Sequence, residues 1–340
     1  MLLLTSPRFD EHVTPPGHPE RMERAHVFDA VAARWLERGG RCTAPRLATR
    51  DELARVHQDR YLDALAATAG RATRLDPDTF TSPESLEIAA LAAGATVGAM
   101  EHAVTHAEPA YALVRPPGHH AEADRSMGFC LYNNIAVAAA AARARGVERV
   151  AVIDIDVHHG NGTQWMFYGD PSVLYVSSHQ FPFYPGTGAA DESGRGDGLG
   201  FTVNIPLEAG ATDADYAVVY RHVVTPVLEQ FAPGLVLVSA GFDAHENDPL
   251  ASMRVTTSGY AWIVATIAAT AARTGSALAL TTEGGYDMTA LAACLQASFQ
   301  AIDLVDDARG DTDPAVGGAA PRGERALAAV RAVHSSLWRL

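Results

Sequence analysis

Only three cysteines occur in the 340 residues, Cys42, Cys130 and Cys294. They are too widely spaced for a disulfide framework or a Cys-x-x-Cys zinc clamp, and read as reduced core thiols of a cytoplasmic protein. Positive charge is scarce as well: 26 Lys and Arg against 40 Asp and Glu give a formal net charge of -14. That argues against a broad nucleic-acid surface, which depends on clustered basic side chains, and it favours cationic substrates. Long apolar runs are also missing. The stretches richest in apolar residues, Ile135 to Ala142 and Ala261 to Ala272, fall short of the roughly 18 residues of a membrane span. Met1 to Leu4 runs straight into Thr5 without a basic flank, too short for a signal sequence, so no membrane association is expected.

What is present suits a sizeable core: 48% of residues are hydrophobic and 19% charged, compatible with one large α/β domain or two small ones. Runs rich in Val, Ile and Leu at Ala110 to Val114, Arg149 to Ile155, Ser172 to Ser177, Gly234 to Ser239 and Ala277 to Thr281 read as strands buried on both faces. Helical lengths separate them, most clearly Glu84 to Thr105, Asn134 to Arg145, Ala214 to Phe231 and Gly259 to Arg273. The alternation predicts a mainly parallel sheet covered by helices on both faces. No internal repeat is visible; residues 306–323 read as a Gly, Asp and Pro-rich loop and 324–340 as a closing helix.

In such sheets ligands bind beyond the carboxyl ends of the strands, and the chemically capable residues fall there. Asp154-Ile155-Asp156-Val157-His158-His159-Gly160-Asn161-Gly162 follows one strand; in an extended backbone Asp154, Asp156 and His158 share a face. Carboxylates that close, after a buried run, call for a cation between them. Asp243, in Gly241-Phe242-Asp243, supplies a further oxygen ligand after another strand. One imidazole and two carboxylates with an open fourth position suit a catalytic zinc, although an oxygen-rich set also accepts ferrous iron or cobalt. In Arg115-Pro116-Pro117-Gly118-His119-His120 two prolines and a glycine present adjacent histidines on a stiff loop. In Glu283-Gly284-Gly285-Tyr286 paired glycines bring a tyrosine into a crowded place.

These motifs, in this order from about His18-Pro19-Glu20 to Tyr286 and beyond, resemble the histone deacetylase family, which includes bacterial acetylpolyamine amidohydrolases and acetoin-utilisation proteins. The resemblance implies a single arginase/deacetylase-like α/β domain over 1–340, three-layered, with zinc on Asp156, His158 and Asp243. It implies a catalytic pair, His119 and His120, backed by Asp154 and Asn161, and Tyr286 as the donor that polarises the acyl carbonyl. It further implies a substrate tunnel at Gly128, Phe129, Tyr184 and Leu250, and an exit-channel arginine at Arg24. Tyr184 departs from the family, many members carrying phenylalanine there. Structural potassium is implied around Asp154, Asp156, His158 and Ser177, with a second site near Phe167, Asp170, Val173 and Phe201.

The expected activity is hydrolysis of an acyl amide. His119 beside Asp154 would favour the imidazolium, whereas His120, facing Asn161 by the same likeness, would stay neutral and serve as general base. Leu250 stands where polyamine-preferring relatives carry glutamate, which points to acyl-lysine in peptides or proteins over acetylated polyamines. Asp76 and Asp78 are either rim acids or loop caps. Two rivals are an arginase-like two-manganese ureohydrolase, suggested by Asp243-Ala244-His245, and a non-catalytic acyl-lysine binder. The oligomeric state is not legible.

Overall fold

The computed structural model describes residues 1–304 and 318–340. Among the described residues there are ten strands: β1 (Leu2–Leu4), β2 (Arg41–Thr43), β3 (Thr73–Arg74), β4 (Phe80–Thr81), β5 (Ala110–Ala112), β6 (Val150–Asp154), β7 (Val173–Gln180), β8 (Thr202–Leu207), β9 (Leu235–Ala240) and β10 (Ala277–Thr282). β3 and β4 form a small hairpin; the other eight make one sheet in the order β2-β1-β5-β10-β9-β6-β7-β8. Every pairing in that sheet is parallel, as the apolar runs predict.

Alternation along the strands creates the layers. Ala151, Ile153, Leu174, Val176, Val236, Val238, Leu278 and Leu280 enter one hydrophobic core. Their neighbours Val150, Val152, Val173, Tyr175, Leu235, Leu237 and Ala279 enter the other. Each face therefore needs its own helical cover, the reason such strands read as continuous apolar runs.

The covering helices start where side chains can satisfy orphan amides. Asn133 accepts from Ala136 N ahead of Asn134–Ala144, Thr256 from Gly259 N ahead of Thr257–Thr274, and Asp287 from Ala290 N ahead of Met288–Asp303. The helix expected over 214–231 is interrupted: Asp213–Val219 and Thr225–Phe231 flank a π-helical turn, Tyr220–Val224. Pro226 lacks an N–H and crowds the carbonyl one turn back, and the wider turn accommodates it. The 22-residue helix Ser85–His106, expected at Glu84 to Thr105, is long and apolar enough to cross a membrane, although it was not among the longest apolar stretches counted in the sequence. It is packed within the fold, against β1, β5, β10 and the helix Asn134–Ala144.

Other boundaries also move. β5 stops at Ala112 because the Val114 backbone pairs with the Thr282 hydroxyl instead of a strand. β1, β2 and β8, and the helices Glu23–Glu37 and Met288–Asp303, were not anticipated. The last helix is Pro321–His334, so it begins three residues before 324 and ends before 340. Pro321 fits its first turn, where an N–H would have no partner. Most of the loop expected at 306–323 lies outside the described residues.

Candidate active site

β5, β10, β9 and β6 are consecutive in the sheet, and the loops leaving their carboxyl ends carry His119 and His120, Tyr286, Asp243, and Asp156 with His158. Four adjacent parallel strands thus aim their exits at one place.

The strand after which the Asp-x-Asp-x-His run begins stops at Asp154. Asp154 Oδ1 then accepts from Asp156 N at 3.2 Å and Asp156 Oδ1 from His158 N at 2.8 Å, bending the chain. The shared face expected for all three residues is therefore broken: Asp154 turns to His119 and Tyr175, while Asp156 and His158 meet Asp243. His158 Nδ1 lies 3.2 Å from Asp156 Oδ1 and 3.1 Å from Asp243 Oδ2. One ligand atom from each of the three residues falls within 4.8 Å of the others, the one such group among the described residues.

The donor set fits a divalent cation. Gly284 N donates to Asp156 Oδ2 at 2.8 Å and Val157 N to Asp243 Oδ1 at 2.9 Å. Each carboxylate is thereby oriented so that its other oxygen faces the His158 ring. Both acids are fully buried, and burial with Asp156 alongside raises the Asp243 pKa. Burial would lower the His158 pKa, but hydrogen bonds to Asp156 and Asp243 lift it to about 10; a shared cation satisfies the same charges. Gly241 and Gly284 are required here, since a Cβ on either would stand 2.0 Å and 2.2 Å from Asp156 Oδ2 and Asp243 Oδ2. His245, the residue that suggested a second metal, turns away: its Nε2 meets Thr257 Oγ1 at 3.2 Å and its Nδ1 accepts from Asn247 N.

The paired histidines sit 4.0 Å apart between ring centroids and have unlike partners. His119 Nδ1 meets Asp154 Oδ2 at 3.1 Å, and the Tyr175 hydroxyl donates to the same oxygen. His120 Nδ1 meets Asn161 Oδ1 at 2.8 Å. Burial would lower the His119 pKa, but Asp156 and Asp154 raise it to about 10. Burial, with His119 and His158 nearby, holds His120 well below the ordinary imidazole range.

The loop carrying the pair is fixed by residues the sequence reading gave no task. Glu283 Oε2 accepts from Gly118 N at 2.6 Å and His119 N at 3.1 Å, and burial lifts its pKa to about 7. Arg115, fully buried, forms a two-point pair with Glu20 at 2.8 Å for each contact. Arg24, expected at an exit channel, is fully buried. It donates to Glu20 Oε1, to the Glu283 carbonyl and to Gly285 O, and its guanidinium lies 5.2 Å from the Tyr286 ring centre. Asp248 Oδ2 accepts from Tyr286 N at 2.7 Å. Apart from Glu20 and Arg24, four residues apart, these partners are far from one another in sequence, and no local pattern marks them.

The residues expected to line a tunnel pack against Tyr286 on one side and His120 on the other. Phe129 stands edge-on to Tyr286 with centroids 5.8 Å apart, its φ of 69° in the left-handed region. Tyr184 is edge-on to His120 at 5.2 Å, and Phe183, not anticipated, stacks on His158 at 5.3 Å. Gly128 lies under the His120 ring. Leu250 and Tyr286 border a hollow of about 500 Å³ with Pro15, His18, Met22 and Pro249. Asp76 accepts from Asp78 N, and Asp78 accepts from the Thr79 hydroxyl, whose oxygen accepts from Phe129 N, so both acids cap a loop that braces Phe129.

Of the residues expected around potassium, Asp154 is paired in register with Ser177, whose hydroxyl meets His179 Nδ1. At the second group the carbonyls of Phe167, Asp170 and Phe201 accept from Asp170, Val173 and Tyr175 respectively.

The chain matches the histone deacetylase domain over residues 18–302. A probable deacetylase of Methanothermobacter thermautotrophicus is 42% identical over 308 residues, 89% of this chain and 91% of the relative. A histone deacetylase-like amidohydrolase of Pseudomonas aeruginosa is 42% identical over 305 residues, 87% of this chain and 78% of the relative. Histone deacetylase 15 of Arabidopsis thaliana is 40% identical over 84% of this chain, which spans about half, 52%, of that protein's length. The crystal structure of the HDA15 HD domain superposes with a TM-score of 0.89 at 35% identity, covering 99% of this chain and 95% of that one. The chain belongs to the histone deacetylase family, and is a hydrolase of the deacetylase and amidohydrolase type.

Proposed function

We propose that the protein hydrolyses the acyl amide of acyl-lysine in peptides or proteins, with a zinc ion held by Asp156, His158 and Asp243. The observation that carries this is the union, at one end of the sheet, of that buried ligand group with two adjoining histidines whose partners differ. When bound, the ion supplies Lewis acidity to the acyl carbonyl and makes water a stronger nucleophile.

The chain's own residues do the rest. His120, neutral and held through Nδ1 by Asn161, keeps Nε2 free to take a proton from water and return it to the leaving amine, a contribution of typically about a hundredfold to ten-thousandfold. His119, paired with Asp154, acts as a fixed positive charge beside it. Tyr286, its backbone pinned by Asp248, donates to the developing oxyanion, worth roughly a hundredfold to a thousandfold. Phe129, beside Tyr286, and Tyr184 and Gly128, beside His120, would line a passage for an extended aliphatic chain. Leu250 at the rim offers no charge to a distal ammonium, which favours acyl-lysine over acetylated polyamines. Potassium near Ser177 and near Asp170 rests on family likeness. The three unpaired thiols suit a reducing compartment such as the cytoplasm.

Turnover of an acetyl-lysine peptide and of acetylputrescine, each with and without added zinc, tests this reading. Zinc-dependent turnover favouring the peptide is expected. A large preference for acetylputrescine would move the assignment to small amines, and turnover that needs two manganese ions per chain would overturn it.

A further inference from the structure

We infer that Glu122 is a positioning residue that locks the amide of Asn161, and through it the tautomer of His120, so that Nε2 is the basic nitrogen. The inference rests on the reading of His120 as the general base.

An asparagine side chain has a carbonyl end that only accepts and an NH2 end that only donates, and the two exchange places by a half-turn about one bond. Which end faces His120 decides which ring nitrogen carries the proton. With Oδ1 toward Nδ1, the neutral ring is protonated at Nδ1 and Nε2 has a lone pair. With Nδ2 toward Nδ1, the proton moves to Nε2 and that nitrogen is no longer a base. Asn161 Oδ1 lies 2.8 Å from His120 Nδ1.

The far end of the amide meets acceptors that resist the half-turn. Asn161 Nδ2 donates to Glu122 Oε1 at 2.7 Å, lies 3.3 Å from the Met127 sulfur and 3.5 Å from the His120 carbonyl oxygen. None of the three can donate in return. Flipping the amide would set Oδ1 against a carboxylate, a thioether and a carbonyl, and leave the NH2 group facing a ring N–H. Of the three, the carboxylate is the strong partner, because a hydrogen bond to a charged acceptor is about twice as strong as a neutral one.

Glu122 is itself held in place. Its carboxylate accepts from Arg125 Nη2 at 2.7 Å, and its backbone carbonyl meets His57 Nδ1 at 3.0 Å. His57 Nε2 accepts from Asn133 N, which fixes the donor at Nδ1. A chain of contacts therefore runs from the exposed Arg125 through Glu122 and Asn161 to the ring that faces the substrate. An aspartate in place of Asn161 would present oxygen at both ends and need no such lock; Glu122 is what an asparagine at this position requires.

Three variants test the lock, each checked for zinc content and read by kinetics and by nitrogen-15 NMR of labelled histidine. Glu122→Leu should lower kcat about ten- to a hundredfold with KM within about twofold, and move the His120 signals from the Nδ1–H to the Nε2–H pattern. Glu122→Gln, which keeps an acceptor, should stay within about threefold of the parent enzyme. Asn161→Asp needs no amide lock and sets a carboxylate oxygen against Glu122, so in that background Glu122→Leu should leave kcat unchanged or raise it. Loss of activity in Glu122→Leu with His120 still protonated at Nδ1, or the same fractional loss in the Asn161→Asp background, overturns the lock. If instead the tautomer responds as described but His120→Ala keeps its activity, the assignment of His120 as base fails while the lock stands.

Discussion

Gly128 lies so close to His120 that a Cβ at position 128 would stand 2.4 Å from the ring's Cδ2 and 2.7 Å from Cγ, with φ at +55°. Only glycine meets both conditions, because a side chain there would strain the backbone and push the ring. Gly128→Ala should cost about 1 kcal/mol of stability from the backbone alone and displace His120 from Asn161. A drop in kcat of at least about tenfold is expected with only a few degrees lost in the melting temperature; parent-like kinetics would show that the ring has room to yield.

Asp248 holds the Tyr286 N–H at 2.7 Å, the Leu250 N–H at 3.0 Å and the Asp287 N–H at 3.4 Å. Burial, together with Asp243, lifts its pKa to about 7, yet it accepts from all three amides. Asp248→Ala should free the tyrosine loop and lower kcat about tenfold, against roughly a hundredfold to a thousandfold for Tyr286→Phe. If Asp248 acts through the tyrosine hydroxyl, its removal should matter little once that hydroxyl is gone. Kinetics of the double variant decide: a full second tenfold loss would mean that Asp248 works by another route.

His119 and His120 should respond differently to replacement and to pH. A general base works above its pKa, and burial with two neighbouring imidazoles holds His120 well below the ordinary value. Its activity limb should therefore fall on the acid side of pH 6.5 and be lost as pH drops through it. His120→Ala should be more damaging than His119→Ala, whose ring supplies charge rather than proton transfer. A milder loss for His120→Ala would reverse the two roles.

The residues of the candidate site were legible because each lies in a short run with unusual local chemistry: His119 and His120 after Pro-Pro-Gly, Asp156 and His158 two apart, Tyr286 after two glycines. The supporting residues were not, because their partners are remote. Glu20 meets Arg115 across 95 positions and Glu283 meets Gly118 across 165, distances at which sequence carries no periodic signal. β8 was missed for another reason: Asn204 and Pro206 interrupt its apolar run, and the Asn204 amide turns inward to Gln164 and the Glu192 carbonyl. β1 has three residues, too few for alternation to show, and becomes a strand because β2 and β5 flank it.

Acid should unfold this protein through buried neutral histidines. Burial holds His12, His57 and His179 each at about 4, against 6.5 when exposed. The unfolded chain therefore binds more protons than the folded one between those values. Stability is fully present above pH 6.5 and is lost as pH falls towards 4, by about 3 kcal/mol for each histidine. Urea unfolding at pH 7, 5.5 and 4.5 should show the decline, and His57→Gln, which can still donate to Glu122 O and accept from Asn133 N, should remove the share that His57 contributes. A flat profile over this range would mean that these rings keep their ordinary affinity for protons.

Asp156 and Asp243 place two fully buried carboxylates around one imidazole, and such acids are costly to hold together without a positive partner. A cation that binds the folded chain and not the unfolded one adds about 2.7 kcal/mol when present at a hundred times its dissociation constant, or roughly 5 °C in melting temperature for a chain of this size. Dialysis against a chelator should therefore lower the melting temperature by about that much and abolish turnover, and zinc should restore both. Asp243→Asn withdraws one charged ligand, so its melting temperature should respond far less to zinc even though its fold is retained. Identical melting curves in chelator and in zinc for the parent protein would remove the cation from this site, and with it the hydrolytic chemistry assigned to the histidines beside it.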